Sequence, residues 1–299
     1  MSALETLYAM DRAQAVATLR GNYTLFCEAL DEIAANNPVA PLAPRDDTPR
    51  EAVLTQVVEL LRRDGMVILR GLFNDAEALD QLRIKAQQIK ASGEKLDPSV
   101  GAYDATVGGQ IWSRPLVTHY RAGMNPDYLP PALNAFLAGG LFGDILTRTF
   151  GITQEVKPTL VVVDNMQPTT EYEMQWWHQD FVRDQIKAMI LIDPVTSENG
   201  PMKIVPGTHR FEGQRRLIDF SMYSEEGFGD IPYHYYNKAK PNTVELTGEP
   251  GDVILFNTRT FHAVGRPRSY QRQTLTAYFA DLDTPLNKFL RDFNPGHQV

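Results

Sequence analysis

The hydrophobic rhythm of the chain changes past Phe150, from a helical period to short apolar runs cut by turn residues. Residues 11 to 36 read as one amphipathic helix whose apolar face is built from Ala15, Leu19, Tyr23, Phe26, Leu30 and Ile33, and Pro38, Pro41 and Pro44 then break it. Thr48 is expected to cap a second helix, with Pro49 at its first position and Glu51 in its first turn, stopping at Asp64-Gly65. Met66 to Leu69 follows as a short buried strand. A third helix is expected from Asn74, carrying Ala78, Leu79, Leu82 and Ile84 on its apolar face before Gly93. The stretch from 94 to 128 reads as loop, and two further helical pieces are expected over 130–137 and 142–150.

Beyond them come Leu160 to Val163, Ala188 to Ile192, Met202 to Val205, Asp252 to Phe256 and Gln273 to Phe279, largely β-branched runs separated by Gly, Pro and Asn. That pattern predicts an antiparallel barrel or sandwich rather than βαβ units. Helices first and strands afterwards give an α+β, mainly β fold: a jelly-roll core under an N-terminal helical layer. We expect a single domain over 1–299, with a helical extension over 1–63 and the barrel region over 64–285. Residues 211–240 hold Phe211, Phe220, Tyr223, Phe228, Tyr233, Tyr235 and Tyr236, too aromatic for a solvated loop. The expected alternatives there are a lid, a contact in a homo-oligomer, or a satellite cluster packed on the barrel.

The formal net charge of −8 over 299 residues argues against nucleic acid or an anionic membrane surface, which need a basic footprint. A small-molecule substrate fits better. Cys27 is the single cysteine, so no intramolecular disulfide forms and the cytoplasm is the expected compartment. No apolar run approaches the roughly 18 residues of a membrane helix, and Met1 to Met10 has no basic n-region.

Candidate chemistry centres on Trp176-Trp177-His178-Gln179-Asp180. On a strand, His178 and Asp180 share a face while Trp177 and Gln179 turn away. Neutral imidazole and carboxylate suit iron(II), and two histidines with one carboxylate leave coordination positions open for substrates and oxygen. A closed structural zinc site leaves no such room. His262, after the Gly251-Asp252-Val253-Ile254-Leu255-Phe256 turn and strand, is the best-placed third ligand. Arg272 opens the next strand, where Arg272, Thr274 and Thr276 share a face, and a guanidinium there can grip a carboxylate through two parallel hydrogen bonds. Trp176, Arg183 and Trp112 are candidate substrate contacts, each weighed against a plain packing or solvated-turn role. A zinc hydrolase or a cupin-type isomerase using the same His/Asp/His set is the alternative activity.

Five motifs in order carry a resemblance: Asp64 to Phe73, the H-x-D, Glu198-Asn199-Gly200-Pro201-Met202 with Val205-Pro206-Gly207-Thr208-His209-Arg210, the G-D-V-I-L-F turn, and Phe261-His262-Ala263 with its following Arg. Together they resemble the phytanoyl-CoA dioxygenase (PhyH) family of iron(II)/2-oxoglutarate oxygenases over about residues 50 to 285. The resemblance implies a double-stranded β-helix, a cupin-like jelly roll. It implies Fe(2+) held by His178, Asp180 and His262, with 2-oxoglutarate and O2 as cosubstrates. Arg272 and Thr274 would hold the distal carboxylate of 2-oxoglutarate, with Asn165 a further contact. Asn199, Gly200, Pro206 and Gly207 would be structural, with His209 outside the metal shell. The implied reaction hydroxylates an unactivated C–H with release of succinate and CO2, and the carboxylate of Asp180 favours hydroxylation over halogenation. Desaturation, epimerisation and ring closure stay open.

Overall fold

The computed structural model describes residues 48–92, 110–114, 117–121, 129–150, 160–166, 185–210, 243–265, 268 and 272–280, besides isolated positions between 5 and 32; for 85–92, 110–114, 117–121, 138, 150, 160–166 and 280 it describes the backbone alone. The helix expected over 11–36 and the aromatic segment 211–240 lie outside the described residues. In chain order the elements are α1 (Arg50–Asp64), β1 (Met66–Leu69), α2 (Ala76–Ser92), β2 (Gln110–Arg114), β3 (Val117–Arg121), α3 (Pro131–Ala138), α4 (Gly140–Phe150), β4 (Leu160–Met166), β5 (Gln185–Leu191), β6 (Met202–Ile204), β7 (Val244–Leu246), β8 (Val253–Asn257), β9 (His262–Val264) and β10 (Arg272–Ala280).

The strands form a seven-stranded sheet in the order β1-β8-β5-β10-β4-β3-β2 and a three-stranded sheet in the order β7-β6-β9. Every pairing within them is antiparallel. Period-two alternation sorts the side chains of the large sheet. Val67, Leu69, Ile186, Ala188, Ile190, Val253, Leu255, Leu275, Ala277 and Phe279 pack with the apolar faces of α1 to α4. Met66, Ile68, Met189, Leu191, Ile254 and Phe256 turn the other way and pack with Met202, Ile204 and Leu246 of the small sheet. Over β1, β8 and β5 the large sheet is therefore covered on both faces, which is why Met66 to Leu69, Ala188 to Leu191 and Val253 to Phe256 read as unbroken apolar runs and not as alternating ones.

The helices dock through aromatic and ionic contacts. Phe73, Phe136, Phe142 and Phe279 form a chain of rings with centroids 5.1, 5.1 and 5.2 Å apart, tying α3 and α4 to β10. Arg148 on α4 donates two hydrogen bonds, of 2.7 and 2.6 Å, to the Glu51 carboxylate on α1, and that fork holds the exposed Glu51 carboxyl below its ordinary range. Arg50 bridges Asp144 beside it.

Three local expectations change. α1 begins at Arg50 with Pro49 at its cap position and no side-chain cap bond from that residue, so the start lies one step past the Thr48 cap. In α2 the cap is Asp75, whose carboxylate accepts the amide of Ala78 at 2.9 Å, and Ile84 is 54% exposed instead of belonging to the apolar face. The loop expected over 94–128 contains the hairpin β2–β3, with Arg114 in register with Val117 across Pro115 and Leu116. Its mixed polar and aromatic residues, with no Gly in the turn, hide the strand pattern.

The connection between β1 and β8 is fixed by a buried carboxylate. Asp252 accepts hydrogen bonds from the amides of Gly71 (2.7 Å) and Glu249 (2.8 Å) and from the Arg70 guanidinium (2.6 Å), which also reaches the Thr247 carbonyl at 3.0 Å. Gly251 sits at φ 85°, and a Cβ there would strike the Phe73 carbonyl, so only glycine fits. Asp252→Ala strips a partner from every one of these donors and is expected to lower unfolding free energy by about 3 kcal/mol. Urea denaturation checks it, and a loss well under about 1 kcal/mol would contradict this role.

Candidate metal and 2-oxoglutarate site

His262 opens β9 in register with Ile204 of β6, and Val264 lies in register with Met202. Because Ile204 and Met202 belong to the apolar cluster between the sheets, His262 faces the same interior. Its ring meets the ring of Phe256, on the facing wall, edge-on at 5.1 Å between centroids. His262 is buried, and its Nδ1 lies 2.7 Å from the Thr260 carbonyl. A carbonyl only accepts, so Nδ1 carries the proton and donates. In the neutral ring this leaves the lone pair on Nε2, the atom that suits a metal.

The backbone that presents His262 is held from the P-G-T-H-R motif. The amide of Gly207 donates to the Asp64 carbonyl at 2.7 Å, seating the motif at the end of α1. Thr208, fully buried, donates its hydroxyl to the Val205 carbonyl at 2.8 Å and accepts the Phe261 amide at 2.9 Å. The amide of Val205 in turn donates to the Phe261 carbonyl at 2.9 Å. Thr208 thus clamps the residue before His262, a link that sequence reading passed over although the motif itself was singled out. The E-N-G-P turn is structural as expected: the Asn199 amide donates to the Pro194 carbonyl and its oxygen accepts the Thr196 amide, both at 2.7 Å. His209 lies 3.2 Å from the Arg62 carbonyl through Nε2, engaged away from His262.

β10 supplies the second half of the site. Leu275, Ala277 and Phe279 face the helices, so Arg272, Thr274 and Thr276 alternate toward the space between the sheets. Arg272 is 3% exposed, and a guanidinium on this face can hold a carboxylate through two parallel hydrogen bonds. Thr274 is fully buried and its hydroxyl has no hydrogen-bond partner among the described residues. A buried cation beside an unanswered hydroxyl fits a ligand carboxylate.

Asn165 sits on β4, next to β10, but in register with Gln273. Its position therefore alternates with those of Arg272 and Thr274, and Asp164 is the residue in register with Thr274. Position along β4 was legible in the sequence; this register was not. Trp112 lies on β2 in register with His119 and not in a loop. His178, Asp180, Trp176 and Arg183 lie outside the described residues.

Two further inner-face residues, Gln185 and Lys187 on β5, escaped notice in the sequence. The signal was present as the one charged residue in the run Gln185 to Leu191. Lys187 is in register with Phe256 on one side and Tyr278 on the other, its Nζ 5.6 and 4.8 Å from their ring centroids.

Thr208→Val is expected to weaken anaerobic cobalt(II) binding about tenfold, the usual cost of loosening a group that orients a metal ligand, with Thr208→Ser restoring it. Unchanged binding in the valine variant would show that the clamp does not matter to His262.

The sequence profile of the family described as phytanoyl-CoA dioxygenase (PhyH) matches residues 61–274. Ectoine dioxygenase from Bordetella parapertussis is 22% identical over 263 residues, covering 82% of this chain and 81% of that protein. Ectoine dioxygenase from Sphingopyxis alaskensis is 24% identical over 224 residues, covering 67% and 66%. Among solved structures, the epimerase SnoN in complex with Fe3+, alpha ketoglutarate and nogalamycin RO superposes with a TM-score of 0.55 at 16% identity, over 83% of this chain and 93% of that one. EctD from S. alaskensis with bound Fe superposes with a TM-score of 0.50 at 18% identity, over 80% and 79%. With a profile match running from the end of the first described helix to the buried Arg272 and Thr274, this chain belongs to the phytanoyl-CoA dioxygenase family of iron(II)- and 2-oxoglutarate-dependent oxygenases.

Proposed function

We propose that the protein hydroxylates a small molecule at an unactivated C–H bond, using Fe(2+) held by His178, Asp180 and His262, with 2-oxoglutarate anchored by Arg272 and Thr274. The observation that carries this reading is the pairing of two buried groups on facing walls: an imidazole whose Nε2 lone pair is set by the Thr260 carbonyl, and a guanidinium 3% exposed. Two sheets facing across a shared interior support reading the core as a double-stranded β-helix with the N-terminal helices outside it.

When bound, iron(II) and 2-oxoglutarate supply the oxygen activation, turning O2 and the oxo acid into succinate, CO2 and one oxygen atom for the substrate. The chain supplies placement. Arg272 fixes the distal carboxylate in two dimensions through its fork, and Thr274 adds a hydroxyl donor on the same face. Thr260, through its carbonyl, holds the His262 ring against rotation, and Thr208 holds the backbone that carries it. Met189, Leu191, Ile254 and Phe256 close the interior to water, which strengthens every charged contact made there. The ectoine dioxygenases among its relatives support a small polar substrate. A zinc hydrolase or isomerase on the same ligands would leave Arg272 and Thr274 idle.

Succinate formation from 2-oxoglutarate is expected to require oxygen and Fe(2+). Arg272→Ala is expected to raise the KM for 2-oxoglutarate about 100-fold, from the loss of charged hydrogen bonds in a dry site, with Arg272→Lys intermediate. Oxygen-independent turnover, or an unaltered KM in the alanine variant, would remove the reading.

A further inference from the structure

The ladder between β5 and β8 runs one step past the end of β8. Ile186 is in register with Asn257, and the amide of Thr258 then donates to the Gln185 carbonyl at 2.9 Å. Gln185 and Thr258 therefore stand opposite one another on one face, with Cβ atoms roughly 5 Å apart. That face is the interior. Ile186, Ala188 and Ile190 go to the helical layer, so Gln185 alternates inward with Met189 and Leu191, and Thr258 keeps step with Ile254 and Phe256. The pair lies at the end of the wall away from Arg272, because Gln185 is in register with Ala280 at the far end of β10. Phe256, two residues before Thr258, supplies the ring that meets His262, and Thr260, two residues after it, holds the His262 ring through its carbonyl.

Gln185 is 1% exposed and Thr258 is fully buried. Yet neither the Gln185 Oε1 nor the Thr258 hydroxyl has a hydrogen-bond partner among the described residues, and they are not bonded to each other. Buried polar atoms are almost always paired, and two unpaired ones cost stability that apolar side chains of the same shape would not. Such a local conflict belongs to a site whose partner arrives with a ligand. The two atoms also select that partner. Gln185 Oε1 only accepts, whereas the Thr258 hydroxyl donates one bond and accepts others. A ligand hydroxyl answers both, donating to Gln185 and accepting from Thr258. A carboxylate would set its lone pairs against those of Gln185, and an ammonium would leave the Thr258 proton without an acceptor.

Resting on the oxygenase reading, we propose that Gln185 and Thr258 form a specificity pocket for the primary substrate, and that the substrate places an uncharged hydroxyl between them. The substrate class is a hydroxylated small molecule: a polyol, a sugar or another alcohol-bearing scaffold. Arg272 and Thr274 keep the oxo acid at one end of the wall while this pair reads the substrate at the other.

The test uses the iron(II)-loaded protein with 2-oxoglutarate and a panel of hydroxylated probes: glycerol, D-glucose, serine, threonine and tyrosine. Each is set beside its counterpart with hydrogen in place of the hydroxyl and beside its methyl ether, which accepts but does not donate. The readouts are oxygen-dependent succinate above the rate without probe, anaerobic calorimetric binding, and Tm of the metal-free variants. At least one hydroxylated probe is expected to exceed both counterparts about tenfold or more in kcat/KM, since a site built around a hydroxyl rejects analogues lacking it. Gln185→Leu and Thr258→Val should each level that preference, mainly through KM, with Tm unchanged or raised because each deletes an atom that is unpaired in the free protein. Thr258→Ser should keep the preference. No probe that binds or stimulates turnover, ethers or deoxy counterparts equal to the alcohols, a preference that survives both substitutions, or a fall in Tm for both would overturn the pocket. Oxygen-dependent succinate would still stand in each of those cases; its complete absence from the unsubstituted protein would overturn the oxygenase reading beneath it.

Discussion

β10 hydrogen-bonds to β4 along one edge and to β5 along the other, with three strands of the large sheet on either side. Its register decides which residues meet which interior. Leu275, Ala277 and Phe279 go to the helical layer, while Arg272, Thr274 and Thr276 go to the space shared with the small sheet. A slip of one residue would exchange the two sets, burying a guanidinium among helix-facing leucines and turning Phe279 into the site. The apolar demand of the helical layer therefore pins the polar face, and the site inherits its geometry from packing on the opposite side of the same strand.

The other half of the site is held from a distance. His262 belongs to a three-stranded sheet, too small to be rigid alone, and its position comes from a relay of buried hydrogen bonds. Asp64 at the end of α1 accepts from Gly207, and Thr208 holds Phe261. Gly65, at φ 77°, ends α1 in the left-handed conformation and leaves space that a Cβ would take from His209 and Thr260. Its carbonyl accepts from Asn257 at 2.8 Å at the far end of β8. The D-G step after the first described helix is thus part of the scaffold behind the histidine.

The element order was legible because local chemistry announces it: Pro and Gly mark the ends, and apolar runs mark strands buried on both faces. The pairing of Arg272 with Thr274 on one face followed from period two. Register across strands was not legible, since the side of β4 on which Asn165 sits depends on a ladder with residues far along the chain. The hairpin β2–β3 was missed because its residues alternate without a clean apolar face. Lys187 was overlooked for a related reason. A lone charge in Gln185 to Leu191 reads as noise until the neighbouring strands place Phe256 and Tyr278 on its two sides.

The central claim is that one interior, walled by β10 and β9, brings the metal and the oxo acid together. Anaerobic crystals grown with iron(II) and 2-oxoglutarate, measured at the iron absorption edge, test it most directly. The account predicts an anomalous peak about 2.1 Å from the Nε2 of His262, with His178 and Asp180 completing the set and the distal carboxylate of 2-oxoglutarate on Arg272 and Thr274. A peak away from His262, or 2-oxoglutarate seated elsewhere with Arg272 facing no ligand, would contradict it.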